Sequence, residues 1–269
     1  MGNLITVAAG FLLASQGLIN FELFFATLAG LAFVIASACV FNNYIDRQVD
    51  KKMDRTKNRP LAQGLITKRN VLAFGIVLGV VGTAILSFYT NALTVLVASG
   101  GFFVYVVIYS MWKCRTAYAT AIGSIAGALP PIVGYCAVSN RLDAGVFILF
   151  AILVLWQMPH FFSIAAYRLE DYTAAAIPVF PVKNGMHRTK VRMALYIVGF
   201  IVASVMLTLF EYTGYIYLTV ATLLGLAWLV LCLRGFKSCN DRLWARNMFR
   251  LSLGVIIALC LIIPFDINV

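Results

Sequence analysis

Apolar positions in this chain come as long unbroken runs, with short polar segments between them. The runs span residues 4–18, 23–44, 71–89, 92–111, 118–138, 144–164, 194–210, 212–233 and 248–265. A helix that crosses a bilayer needs about 20 mostly apolar residues, and one surrounded by lipid can be apolar on every side. The pattern predicts an all-α, polytopic membrane bundle of about nine helices, folded as one domain over residues 1–269. The first run is the shortest and has no basic segment ahead of it, so it reads as a span and not as a cleaved signal. Composition agrees: 62% of residues are hydrophobic and 12% charged, which excludes a soluble domain of this size.

The polar segments set the orientation. Residues 46–70 hold eight Lys and Arg; 112–117 add Lys113 and Arg115. Residues 163–193 add Arg168, Lys183, Arg188, Lys190 and Arg192; 234–250 add Arg234, Lys237, Arg242, Arg246 and Arg250. The alternate segments are short and hold only Arg141, so twenty of the 21 cations share one side. The positive-inside rule makes that side cytoplasmic. With nine spans the N-terminus is inside and the C-terminus outside, as expected for a bacterial inner membrane. The net charge of +11 is therefore a topology signal and predicts no nucleic-acid partner. The six cysteines form no CxxC and lie mostly in apolar runs, which argues against a disulfide framework or a zinc site. The longer segments all fall on the cytoplasmic side, where chemistry is expected.

Asp46, Asp50 and Asp54 are spaced four apart directly after the second run. Four residues return a helix to nearly the same face, so Asn42, Asp46 and Asp50 form an oxygen-rich stripe at the membrane surface. Lys51, Lys52, Arg55, Lys57 and Arg59 follow at once. Carboxylates beside clustered cations suit a divalent metal together with a polyphosphate. The plainer reading is a solvated charge ladder that only fixes topology.

A second acidic pair, Glu170 and Asp171, ends the sixth run, four spans after the first. It either completes a metal site with Asp46 and Asp50 or closes a helix with Arg168 as its partner. His160 follows Pro159 near the same membrane surface; an ionisable group at that depth is a functional candidate. It can ligate a haem iron, act as a base, or hydrogen-bond Gln157 or a neighbouring helix. Lys113 and Arg115 either hold a leaving diphosphate or fix topology. Pro130, Pro131, Gly123, Gly127 and Gly134 predict a broken or closely packed fifth helix.

Asn42-x-x-x-Asp46-x-x-x-Asp50 followed by Arg55-Thr56-Lys57-Asn58-Arg59-Pro60 resembles the first signature of the UbiA-type intramembrane prenyltransferases. The stretches CVFNNYIDRQVDKKMDRTKNRPL, GALPPIVGYCAV and LWQMPHFFSIAAYRLEDYTAAAIPVFPV resemble the branch of that family that farnesylates protohaem IX. The resemblance covers essentially the whole chain. It implies farnesyl transfer from farnesyl diphosphate to the 2-vinyl group of haem B with addition of water, giving haem O and diphosphate. It also implies Mg²⁺ held by Asp46 and Asp50 together with Asp171 and Glu170, and a catalytic role for Asn42. Arg55, Arg59 and Lys113 would contact the diphosphate, and His160 the haem. The lipid bilayer is one partner; haem A synthase or a terminal oxidase assembly is another candidate. Asn43, where quinone-type members carry Asp, points to the haem branch, as does His160 ahead of Glu170-Asp171 in place of a DxxxD motif. That second difference leaves one carboxylate of the second metal motif without a counterpart. The Lys-Pro lead-in usual before the first helix is missing here, so a truncated or shifted start is expected. The rivals are a prenyltransferase acting on an aromatic quinone precursor and a non-catalytic haem carrier.

Overall fold

A computed structural model describes residues 2–53, 56–113, 116 and 118–267. Asp54, Arg55, Cys114 and Arg115 lie outside the described residues. The helices are α1 (Gly2–Ser15), α2 (Phe21–Asp50), α3 (Lys68–Tyr89), α4 (Ala92–Trp112), α5 (Ala119–Ser139) and α6 (Ala144–Tyr167). They continue as the short α7 (Leu169–Ala174), α8 (Phe180–Leu209), α9 (Tyr215–Lys237) and α10 (Asp241–Phe265). Eight of them are long and apolar enough to cross a membrane. The chain is an integral multi-pass membrane protein. The fourteen residues of α1 reach only about 21 Å at 1.5 Å each, short of the roughly 30 Å hydrocarbon layer. With α1, the helices account for the nine predicted runs.

Polar side chains at the turns start several helices by accepting orphan backbone N–H groups. Asn20 caps α2 through Leu23 N at 3.0 Å, Asn91 caps α4 through Thr94 N at 2.9 Å, and Asn240 caps α10 through Leu243 N at 2.9 Å. Asn91 also donates to Cys136 O at 2.8 Å, tying the start of α4 to the end of α5. α6 is the hub, packed against α5, α8 and α10, and most of its residues are buried. α3 packs chiefly on α2 and turns Phe74, Ile76, Val77, Val80 and Phe88 outward, the surface a lipid-facing helix requires.

The fifth span is broken as its prolines require. It consists of Ala119–Gly127 and Leu129–Ser139, separated at Ala128 just before Pro130 and Pro131, which supply no N–H. Its second half packs against α1 at backbone contact. A Cβ on Gly134 would lie 2.1 Å from Val7 O, and one on Gly10 would lie 2.0 Å from Pro131 O. Only glycine permits that approach. At the end that carries most of the cations, buried Lys190 donates to Gly235 O at 2.7 Å and to Asp241 at 2.5 Å, pinning α8 to the α9–α10 turn.

Candidate active site

α2 does not stop where the apolar residues stop; it runs on to Asp50. The continuation places Asn42, Asp46 and Asp50 on successive turns of one helix, and all three line a cavity of about 440 Å³. We call this the vestibule. Asn42 joins opposite charges there. Its Nδ2 donates to Asp46 Oδ2 at 3.1 Å, while its Oδ1 accepts from Lys113 Nζ at 2.6 Å and from Ser110 Oγ at 3.2 Å. The Lys113 ammonium also pairs directly with the Asp46 carboxylate. Asp50, only 5% exposed, accepts from the Arg59 guanidinium at 2.8 Å, and Thr56 Oγ1 donates to its main-chain oxygen at 3.1 Å. An amide donates and accepts at once, so asparagine can bridge a carboxylate and an ammonium where aspartate cannot. Each carboxylate already holds one cation from elsewhere in the chain.

The second acidic pair is placed differently. Glu170 has a side chain 87% exposed and faces Arg242 at 3.7 Å; Asp171 pairs with Arg168 at 3.3 Å. Neither lines the vestibule, although the next residue, Tyr172, does. Among the described residues, no three carboxylate, imidazole or thiol groups converge on a metal site. An exposed pair of this kind contributes little. Glu170→Gln is therefore expected to leave turnover within about twofold of wild type. A loss of tenfold or more in a direct comparison of turnover would put Glu170 back in the site.

A second cavity, about 370 Å³ and lined mainly by apolar side chains, lies deeper between α1, α2, α4, α5, α6 and α10. It shares Tyr105, Gly123 and Phe161 with the vestibule, so the charged cavity and the apolar one adjoin at these residues. We call the deeper one the chamber. His160 is in its wall, 8% exposed, with Nδ1 2.7 Å from Ser252 Oγ on α10. The Trp156 ring stacks on the imidazole at 4.7 Å, and Trp156 Nε1 donates to Ser252 O at 2.8 Å. Of the bonding partners weighed for His160, the neighbouring helix is the one observed.

Residues 3–254 match the UbiA prenyltransferase family. The chain belongs to that family. It is 59% identical over 267 residues to a protein named protoheme IX farnesyltransferase from Protochlamydia amoebophila (strain UWE25), covering 99% of this chain and 94% of that one. The fold is similar to that of a digeranylgeranylglyceryl phosphate synthase at a TM-score of 0.82 and 17% identity, covering 98% of this chain and 92% of that one. It is also similar to a UbiA homologue from Archaeoglobus fulgidus bound to GPP and Mg²⁺, at a TM-score of 0.74 and 16% identity, covering 98% and 95%. Identities this low speak for the fold alone.

Several residues of this UbiA-family site escape a reading of runs and charges. Tyr105, Tyr109, Thr120 and Gly123 line the vestibule from inside apolar spans. The signal was a Tyr pair four residues apart, followed by Ser110 and Lys113. Between the two tyrosines α4 widens into a π-helical turn, Val104–Tyr109, and their rings stack at 5.4 Å. Such widenings are frequent at functional sites. Ser252 offered no signal, being one serine in an apolar helix.

Proposed function

We propose that this chain transfers the farnesyl group of farnesyl diphosphate to the 2-vinyl group of haem B with addition of water, releasing haem O and diphosphate. The observation that carries the reading is the junction at Tyr105, Gly123 and Phe161, where a cavity of paired charges adjoins an apolar chamber. A diphosphate needs the first and a fifteen-carbon chain the second. The named relative supplies the acceptor: at 59% identity over nearly the whole chain, the same substrates are the natural assignment.

The donor set fits Mg²⁺. That ion is commonly bound by one or two carboxylates, with waters and substrate phosphate oxygens completing the shell. Asp46 and Asp50 would hold it, and the Lys113 and Arg59 cations beside them occupy the place of the positive charge they need. The bound metal would supply electrophilic stabilisation of charge on the diphosphate. Lys113, Arg59 and, outside the described residues, Arg55 would turn toward the diphosphate oxygens as the allylic carbon–oxygen bond breaks. Cations placed beforehand in a water-poor site act more strongly than in water. Tyr105 and Phe161 border the developing allylic cation, whose positive charge the aromatic faces favour. The vinyl group attacks that cation, and water captures the new one formed beside the macrocycle. Trp156 and His160 offer a flat face to the vinyl-bearing edge. The vestibule would face the cytoplasm of a bacterial inner membrane, and a product this lipophilic would leave through the bilayer, toward haem A synthase or a terminal oxidase assembly.

The test is an assay of detergent-purified protein with haem B, farnesyl diphosphate and Mg²⁺, read by the mass of extracted haem. The expected product is heavier by one farnesyl plus one water and is lost on chelation. Unchanged haem, with 4-hydroxybenzoate prenylated instead, would move the chain to the quinone branch.

A further inference from the structure

The mainly apolar chamber wall holds the buried polar side chains Gln157 and His160, and buried Ser252 on α10 backs His160. Ser252 Oγ lies 2.7 Å from Phe249 O and 2.7 Å from His160 Nδ1. A hydroxyl has one proton, and a carbonyl oxygen only accepts. The proton therefore goes to Phe249 O, because any other choice sets two oxygen lone pairs against each other at 2.7 Å. His160 Nδ1 is then the donor to Ser252. A neutral imidazole carries one N–H, so Nε2 keeps its lone pair. Among the described residues Nε2 has no hydrogen-bond partner, and His160 immediately precedes Phe161, which borders both cavities.

One turn earlier on α6, Gln157 lines the same chamber and is 4% exposed, and its Oε1 is buried without a partner. Gly127 gives that amide its room; a Cβ there would lie 2.3 Å from Oε1. Buried acceptors with nothing to accept call for a donor. Gln157 Oε1 is closed in against Gly127 with no surface open to the cavity, whereas the His160 Nε2 lone pair, on a residue of the chamber wall, suits the O–H of a small molecule there.

We propose that His160 holds the water that captures the carbocation, that His160 Nε2 takes its proton, and that Ser252 is a positioning residue that keeps the imidazole in the required tautomer. This rests on the farnesyl-transfer reading above. The steps balance. The vinyl π pair forms the carbon–carbon bond as diphosphate departs, leaving a cation on the carbon next to the macrocycle. A water lone pair forms the carbon–oxygen bond, and one water O–H breaks, its proton passing to Nε2. Positive charge moves from carbon to imidazole within one cavity, so no net charge is created in a low-dielectric site. Without the bound water, the cation loses a proton from the adjacent methylene group and gives a conjugated alkene one water lighter than haem O.

The experiment uses the full chain in detergent with haem B, farnesyl diphosphate and Mg²⁺. It measures diphosphate release and the ratio of the lighter to the hydrated haem by mass. His160→Phe keeps a flat ring and is expected to raise that ratio about a hundredfold. Ser252→Ala is expected to raise it about tenfold while diphosphate is still released. Ser252→Thr, which keeps the hydroxyl, should restore the wild-type ratio. A residue that only supports the fold would slow both products together. Hydrated haem at the wild-type ratio from every variant overturns the proposal. So does a Soret band that differs between His160→Phe and wild type, which would put Nε2 on the iron. If wild type itself prenylates no haem, the parent reading falls instead.

Discussion

Asp46→Asn and Asp50→Asn proteins are expected to insert into membranes at wild-type levels and to lose turnover on the order of a thousandfold. The substitution keeps size and one acceptor oxygen, exchanges the other for an NH2 donor and removes one negative charge, so the packing around buried Asp50 should survive. What is lost is the charge that draws a divalent ion to the diphosphate. In addition, the Lys113 ammonium and the Arg59 guanidinium would lose their counter-charges. The loss should fall on kcat more than on KM, because the charge on the departing diphosphate is greatest in the transition state. Steady-state kinetics against farnesyl diphosphate at several Mg²⁺ concentrations decides it. Near-wild-type turnover at limiting Mg²⁺ in either variant would remove the metal from these carboxylates.

Gly134→Ala is the structural counterpart. The added methyl group would sit 2.1 Å from Val7 O and 3.0 Å from Phe11 N, against backbone that has no rotamer to yield. α1 would have to move, at an overpacking cost of about 1–3 kcal/mol. The midpoint of thermal inactivation in detergent should fall by roughly 4–8 °C. Because Gly2, Asn3, Ile5 and Thr6 of α1 line the chamber, farnesyl transfer should weaken as well. Gly254→Ala on α10 is the matched control: its Cβ would meet nothing within 4 Å, so no loss of stability is expected. If both variants melt together with wild type, the α1–α5 contact is not as close as described.

The unevenness between the two acidic clusters shows how far residue spacing reaches. Asn42, Asp46 and Asp50 lie on one helix, so their mutual placement follows from the helical repeat alone, and they do share one cavity wall. Lys113 joins them from just past the end of α4, at a distance no spacing rule supplies. Glu170 and Asp171 share with Asp46 only an end of the bundle. Which way a carboxylate turns there depends on its local partners, Arg242 and Arg168.

The sequence by itself determined that this is an all-helical, multi-pass membrane protein, because only apolar runs of span length can lie in hydrocarbon with their backbone groups satisfied. It also determined which helix carries the carboxylate ladder and where proline breaks the fifth span, since those are properties of neighbours along the chain. Tertiary structure alone decided which cations meet those carboxylates, that a charged vestibule adjoins an apolar chamber, and that Ser252 holds His160. The side-chain contacts among these join residues 67 to 92 positions apart, apart from the nine-residue reach of Arg59 to Asp50. Helix packing fixes such contacts, and packing in turn depends on where glycine lets two backbones touch.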